Sequence, residues 1–174
     1  MDLRFPIGPM PTLTEVSAEQ RSQLIADLAS LPEALRKAVA GLTEDQLDTP
    51  YRPDGWTVRQ VVHHVPDSHM NAYIRFKLAL TEPRPTIKPY AEARWAELPD
   101  TAATPIATSL DLLANLHQRW VILLRALGDN DFERTFVHPD MEQPVALKTA
   151  LGMYAWHGKH HVAHVTALCE RMGW

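Results

Sequence analysis

The sequence predicts an all-α protein, a four-helix bundle with long irregular connections. Three observations lead there. Four long stretches carry apolar residues at helical spacing. The 14 prolines fall mostly between those stretches. No segment alternates convincingly enough to read as a sheet. With 174 residues, the chain is long enough for one domain with a real core. We read residues 1–174 as that single domain, with 1–14 as an irregular N-terminal arm held by Pro6, Pro9 and Pro11.

The first helix is expected over Ser17–Val39, where Leu24, Leu28, Leu31, Leu35 and Val39 keep a helical period. Pro32 lies inside it, so a kink or break near Leu31 is expected. Gly41 follows its end, and Thr43–Gln46 reads as a capped short turn. After a loop over Leu47–Gly55, Thr57 and Gln60 have capping-box spacing, each side chain satisfying an orphan backbone amide. The second long helix should run from Thr57 towards Leu80, interrupted by Pro66. Thr81–Ala103 is a long proline-rich connection, a kind of segment that often covers a functional site. Thr104-Pro105 starts the third long helix, with proline at its first position. Ile106, Leu110, Leu113, Trp120, Leu124 and Leu127 form its apolar stripe, and Gly128 ends it. Phe132–Pro144 reads as an irregular or hairpin-like excursion. The last helix should span Leu147–Met172, with Gly173 as its stop.

Composition narrows the function classes. A formal net charge of −4 and a pI near 6.1 give no basic footprint for nucleic acid. No apolar run approaches the length of a membrane span, and the N-terminus lacks the pattern of a signal peptide. Cys169 is the single cysteine, so no intrachain disulfide framework marks an oxidising compartment. A cytoplasmic protein is the simplest reading.

The most informative feature is the histidine content. Four of the nine histidines lie at 157, 160, 161 and 164, forming two overlapping His-x-x-x-His pairs, His157/His161 and His160/His164. Residues four apart share a helix face and can offer two imidazoles to one metal ion. On a wheel of ~100° per residue, His157 and His161 lie at about 0° and 40°, beside an apolar sector that includes Leu151, Val165 and Leu168. His164 falls near −20° and His160 near −60°, the most outward of the four. The wheel therefore favours His157/His161, by a modest margin over His164. A second cluster, His63-His64 with His69, lies upstream. His64 sits closer than His63 to the side shared by Val58, Val61, Val65, Ala72 and Phe76, but the pattern leaves both open.

Neutral imidazole suits zinc, nickel, copper and iron. Three histidines would leave a coordination position open, the mark of a catalytic site, where bound water becomes a nucleophile near neutral pH. Other chemistry-bearing residues have blander readings. His117 reads as a hydrogen-bonded packing residue and His138 as a loop residue. His69 reads as support for a site or as packing, and Cys169 as a small buried hydrophobe. Trp56, Trp120 and Trp156 read as core aromatics.

Several longer motifs carry a family resemblance. Leu47–Arg52, Gly55–His64, Asp67–Asn71, Tyr73–Leu80, Tyr154–His157 and the run from His160-His161 to Arg171–Trp174 resemble the YfiT group of the DinB/YfiT-like superfamily. The likeness covers nearly the whole chain. It implies a bundle fold, a metal-dependent hydrolase activity and a homodimer. It also implies a metal triad of His64 with His157 and His161, in agreement with the wheel. The chain departs from the family pattern at Pro66, where relatives usually carry alanine.

The reading that follows is a hydrolase holding one Zn²⁺ or Ni²⁺ on His64, His157 and His161, with a metal-activated water as nucleophile and an unknown small-molecule substrate. Asp67 is a candidate general base by proximity, although a solvated or capping carboxylate is the ordinary reading. Two alternatives differ in class. One is a metal-dependent S-transferase that uses a low-molecular-weight thiol. The other is a non-enzymatic, metal-stabilised dimeric binding protein with a closed coordination sphere.

Overall fold

A computed structural model describes residues 2–12 and 15–174. Met1, Leu13 and Thr14, part of the expected arm, lie outside the described residues. Four long helices, α1 (Ala18–Ala38), α3 (Val58–Thr81), α6 (Ile106–Ala126) and α8 (Leu147–Met172), build the bundle. Short helices α2 (Glu44–Leu47), α4 (Glu92–Trp95), α5 (Pro99–Ala103) and α7 (Asp129–Phe132) lie in the connections. One small sheet corrects the expectation that none forms. Strands β1 (Thr135–Phe136) and β2 (Val145–Ala146) pair antiparallel, with Thr135 opposite Ala146 and Phe136 opposite Val145. Thr86, in the long connection, forms a parallel bridge to Val137 beside β1. Two-residue strands are too short for alternation to be visible in the sequence.

The helix order around the bundle explains the long connections. Asp27 meets Lys159 and Glu15 meets Lys148, so α1 and α8 run parallel. His63 meets Ser109, His69 meets His117 and Phe76 meets Trp120, so α3 and α6 also run parallel. Leu28 against His117 and Arg36 against Asp111 make α1 and α6 antiparallel. His69 against His157 and Arg75 against Tyr154 do the same for α3 and α8. Each helix thus has one parallel and one antiparallel close neighbour, and consecutive α1 and α3 sit across the bundle. A chain that leaves α3 and enters a parallel neighbour must travel back along the whole bundle. Residues 82–105 do this.

Local signals fix the helix ends. Ser17/Gln20, Thr43/Gln46 and Thr57/Gln60 each form a reciprocal capping box. Gly173 closes α8 in the left-handed conformation, φ 70°. Pro105 is the N-cap of α6 rather than its expected first helical residue, so the helix begins one residue later, at Ile106. The two interior prolines do not break their helices: α1 is continuous through Pro32 and α3 through Pro66. Packing on both sides holds those turns, although each proline leaves the carbonyl four residues earlier without its amide donor.

The core has two apolar parts. One gathers Leu28, Phe76, Trp120, Leu124, Leu151 and Tyr154. The other gathers Leu35, Val58, Val61, Leu110, Leu113 and Val165. Between them, every long helix carries the chain through a polar layer, at Leu28's carbonyl, His64 and His69, His117, and His157 and His161. Gly158 lets α1 and α8 approach at this level: a Cβ there would lie 2.3 Å from Leu31 Cδ2 and 3.1 Å from its Cγ.

Alanine at 158 would add helix propensity of up to ~1 kcal/mol. Overpacking against Leu31 should outweigh it, for a net loss of about 1–2 kcal/mol. Urea denaturation of Gly158→Ala is therefore expected to show a lower midpoint at unchanged slope. A raised midpoint would mean that α1 is free to move away.

Candidate metal centre

The antiparallel packing of α3 on α8 brings His64 opposite the His157/His161 face. Nε2 of His157 lies 3.2 Å from Nε2 of His64 and 3.2 Å from Nε2 of His161. These are the three residues whose ligand atoms come together within 4.8 Å of one another among the described residues. Three nitrogens bound tetrahedrally at about 2.0–2.1 Å from one zinc would be roughly 3.3 Å apart. The observed spacing fits that donor set.

A hydrogen-bond chain fixes which nitrogen of His157 faces the cluster. Pro32 has no amide to offer the Leu28 carbonyl. Nδ1 of His117 donates to that carbonyl instead, at 2.6 Å. A carbonyl can only accept, so neutral His117 keeps its lone pair on Nε2, 2.9 Å from Nδ1 of His69. His69 therefore donates from Nδ1, and its Nε2 accepts from Nδ1 of His157 at 3.2 Å. Nε2 of His157 is left as a lone pair aimed at His64 and His161. In the absence of a cation, both neighbours could only point hydrogens at this one lone pair. A cation accepting three lone pairs satisfies all three rings.

The remaining histidines lie close by in other roles. His63 turns towards α6 and bonds Ser109 Oγ at 2.7 Å, and its buried Nε2 has no hydrogen-bond partner among the described residues. His160 and His164, read from the wheel as outward, are 8% and 3% exposed. The wheel treats a helix as facing only the bundle, whereas the arm and a loop cover this face of α8. Phe5 approaches His160, the Arg4 carbonyl lies 3.2 Å from His164 Nε2, and Tyr51 stacks on His164 at 4.0 Å. His69 and His117 are fully or nearly fully buried in the relay. Cys169 is only half-buried, not enclosed.

The trio forms one wall of a cavity of about 560 Å³. Trp56 and Trp156 line it and are half-buried: Trp56 packs on His64 at 4.5 Å and against the second apolar cluster, and Trp156 stacks on His160 at 4.4 Å. Trp120 is the core aromatic of the three, fully buried. Pro89, Tyr90 and Glu92 bring the long connection onto the cavity, as its length suggested, and His138 and Asp140 come from the loop after β1. Asp67 is not among the lining residues. Burial and the nearby Asp100 carboxylate raise its carboxyl to about 6, and it faces α5. Ser68, Arg75 and Tyr154 line the cavity and were missed as site residues. A signal existed for Arg75, which lies ~20° from His64 on the α3 wheel.

Burial pulls the imidazoles down, to about 4 for His64, His117 and His160 and well below the usual value for His69, His157 and His161. The layer is therefore neutral at physiological pH, as metal ligation requires. Unfolded histidines take up protons below 6.5, while the folded rings named above resist until about 4 or lower. Their contribution to stability is thus intact above 6.5 and is lost as pH falls towards 4. Asp67 opposes this with one raised carboxyl. At ~1.4 kcal/mol per unit and group, the histidines dominate. The urea midpoint of chelator-treated protein should be flat from about pH 7 to 8 and fall steeply between 6.5 and 4. A midpoint unchanged at pH 4.5 would show that the folded layer accepts protons.

Comparison with known proteins identifies the family and the fold. Residues 27–165 match the model of the DinB superfamily. A relative from Bacillus cereus (strain AH820), named a putative metal-dependent hydrolase, is 55% identical over 173 residues, 99% of each chain. The relative named putative metal-dependent hydrolase YfiT, from Bacillus subtilis (strain 168), is 52% identical over 174 residues, covering 100% of this chain and 98% of its own. The solved structure of YfiT from Bacillus subtilis, described as a probable metal-dependent hydrolase with an unusual four-helix bundle topology, superposes with a TM-score of 0.97 over 100% of this chain and 99% of its own. With fold and sequence in accord along its length, the chain belongs to the DinB superfamily and shares the YfiT four-helix bundle.

Proposed function

We propose that the protein is a metal-dependent hydrolase of small molecules, holding one Zn²⁺ or Ni²⁺ on His64, His157 and His161. The observation that carries this reading is the convergence of three Nε2 atoms at metal-site spacing on the wall of an open cavity. The names of the relatives support the same class. A divalent ion on three histidines supplies Lewis acidity and draws the pKa of water at its open position towards neutrality.

The chain's own residues have separable tasks. His117 and His69 hold His157 in one tautomer and one orientation, the usual service of a hydrogen-bonded partner behind a metal-ligating imidazole. Trp56 packs on His64 and limits its ring motion. Tyr90 and Pro89, brought over by the long connection, narrow the access of bulk water to the cavity. Asp67, outside the cavity wall, is not assigned the proton-transfer role.

Metal analysis of untagged protein is expected to find one divalent ion per chain. Replacing any two of His64, His157 and His161 with alanine should abolish it, and full metal content in such variants would sink the proposal. His69→Leu should weaken metal affinity about 10–100-fold without removing a ligand. The metal-loaded form should hydrolyse a member of an ester, amide and phosphate panel without added thiol. Turnover that requires a low-molecular-weight thiol would replace hydrolysis with the S-transferase reading. A closed coordination sphere with no labile position would favour the binding-protein reading.

A further inference from the structure

Two arginines of α3 are largely shielded from solvent, and they differ in one respect. Arg59 donates to the carboxylates of both Asp48 and Glu44, so its charge is neutralised within the fold. Arg75 is 8% exposed and, among the described residues, its side chain bonds only the Tyr154 hydroxyl, its Nη1 donating at 2.8 Å. Among the described residues no carboxylate oxygen comes within salt-bridge distance of its guanidinium. Arginine is rarely buried unless paired, because a desolvated guanidinium without an anion is costly. The phenols beside it do not supply that anion. Burial raises Tyr90 to about 12 and also raises Tyr154, so both are neutral at physiological pH.

Arg75 lines the same cavity as the histidine trio. His64, Ser68 and Arg75 follow one another along one face of α3, and helical side chains lean towards the N-terminus, here towards His64. On α8, Tyr154 precedes His157 by three residues, about 4.5 Å of helix. The carboxylates that line the cavity, Glu92 and Asp140, are exposed.

We propose that Arg75, positioned by Tyr154, binds an oxyanionic group of the substrate, a carboxylate or a phosphate, while the reacting bond lies at the histidine trio. This deepens the hydrolase reading and rests on it for the position of the reacting bond. The preference for an anion rests on Arg75 alone. A guanidinium presents a planar fork of donors that matches both oxyanions. Only one of those donors is engaged within the protein's described hydrogen bonds.

The test follows the Arg75 Nε–H signal of ¹⁵N-labelled full-length protein by NMR. The signal is assigned by its loss in Arg75→Met. Propionate, methyl phosphate and neutral propionamide are titrated separately into chelator-treated protein and into zinc-loaded protein, and zinc content is measured in parallel. At least one anion should shift the signal saturably, and propionamide should not. The stronger of the two anions identifies the group recognised. Isothermal titration should show that anion binding roughly tenfold or more weaker to Arg75→Met and only partly weakened for Arg75→Lys, with zinc stoichiometry unchanged. If Arg75→Met does not fold, the wild-type titrations and Arg75→Lys decide alone. A signal indifferent to both anions in both forms, or propionamide binding as tightly, would overturn the proposal. Failure to take up zinc while Arg75 still responds would instead remove the hydrolase reading and leave the anion site standing.

Discussion

One hydrogen-bond chain touches all four long helices. It starts at the Leu28 carbonyl on α1, passes through His117 on α6 and His69 on α3, and ends at His157 on α8. Its origin is a missing donor. Pro32 cannot bond back to Leu28, so a buried carbonyl in the middle of a helix must find another partner. Each imidazole in the chain then accepts at one nitrogen and donates from the other, and the direction set at Leu28 passes unchanged to His157. The residue that looks like a helix defect in α1 thus decides which nitrogen lone pair is presented at the candidate metal centre, three hydrogen bonds along the relay.

The polar layer also constrains the packing around it. It lies between two apolar clusters, so burial holds its rings neutral, and the relay rings of His69 and His117 are enclosed away from solvent. Gly158, next to His157, permits α1 to approach α8 closely enough for the layer to close. The parallel pairing of α3 with α6 places His69 against His117. The same pairing requires a connection that runs the length of the bundle, and that connection supplies Tyr90 and Pro89 to the cavity. Topology, relay and cavity are consequences of one arrangement of helices.

The cavity combines two kinds of chemistry. At one end are neutral imidazoles suited to a divalent cation, and along the same face of α3 is a buried guanidinium without an anionic partner. A small molecule carrying an oxyanion would complete the charge balance of the cavity and be oriented by it. Trp56 and Trp156 pack on histidines of the wall and add flat apolar surface at the imidazole end.

The long helices, their capping boxes and the His157/His161 face could be read from local spacing, because helix periodicity and caps are set by residues within a few positions of each other. The resemblance to a family added His64, and the structure puts its Nε2 beside that of His157. Local spacing suggested a kink or break at Pro32 and an interruption at Pro66, whereas both helices run on through their prolines, because packing from neighbouring helices outweighs the loss of one backbone bond. It also turned His160 outward and left His164 at the margin, because a wheel has no knowledge of the arm and the Tyr51 loop that cover them. The roles of His69, His117 and Arg75 depend on partners 48, 89 and 79 residues away along the chain. The residues themselves determined which groups could ligate, donate or carry charge. Only the tertiary structure decided which of them meet, because hydrogen-bond direction and the absence of a counter-ion are properties of a three-dimensional neighbourhood.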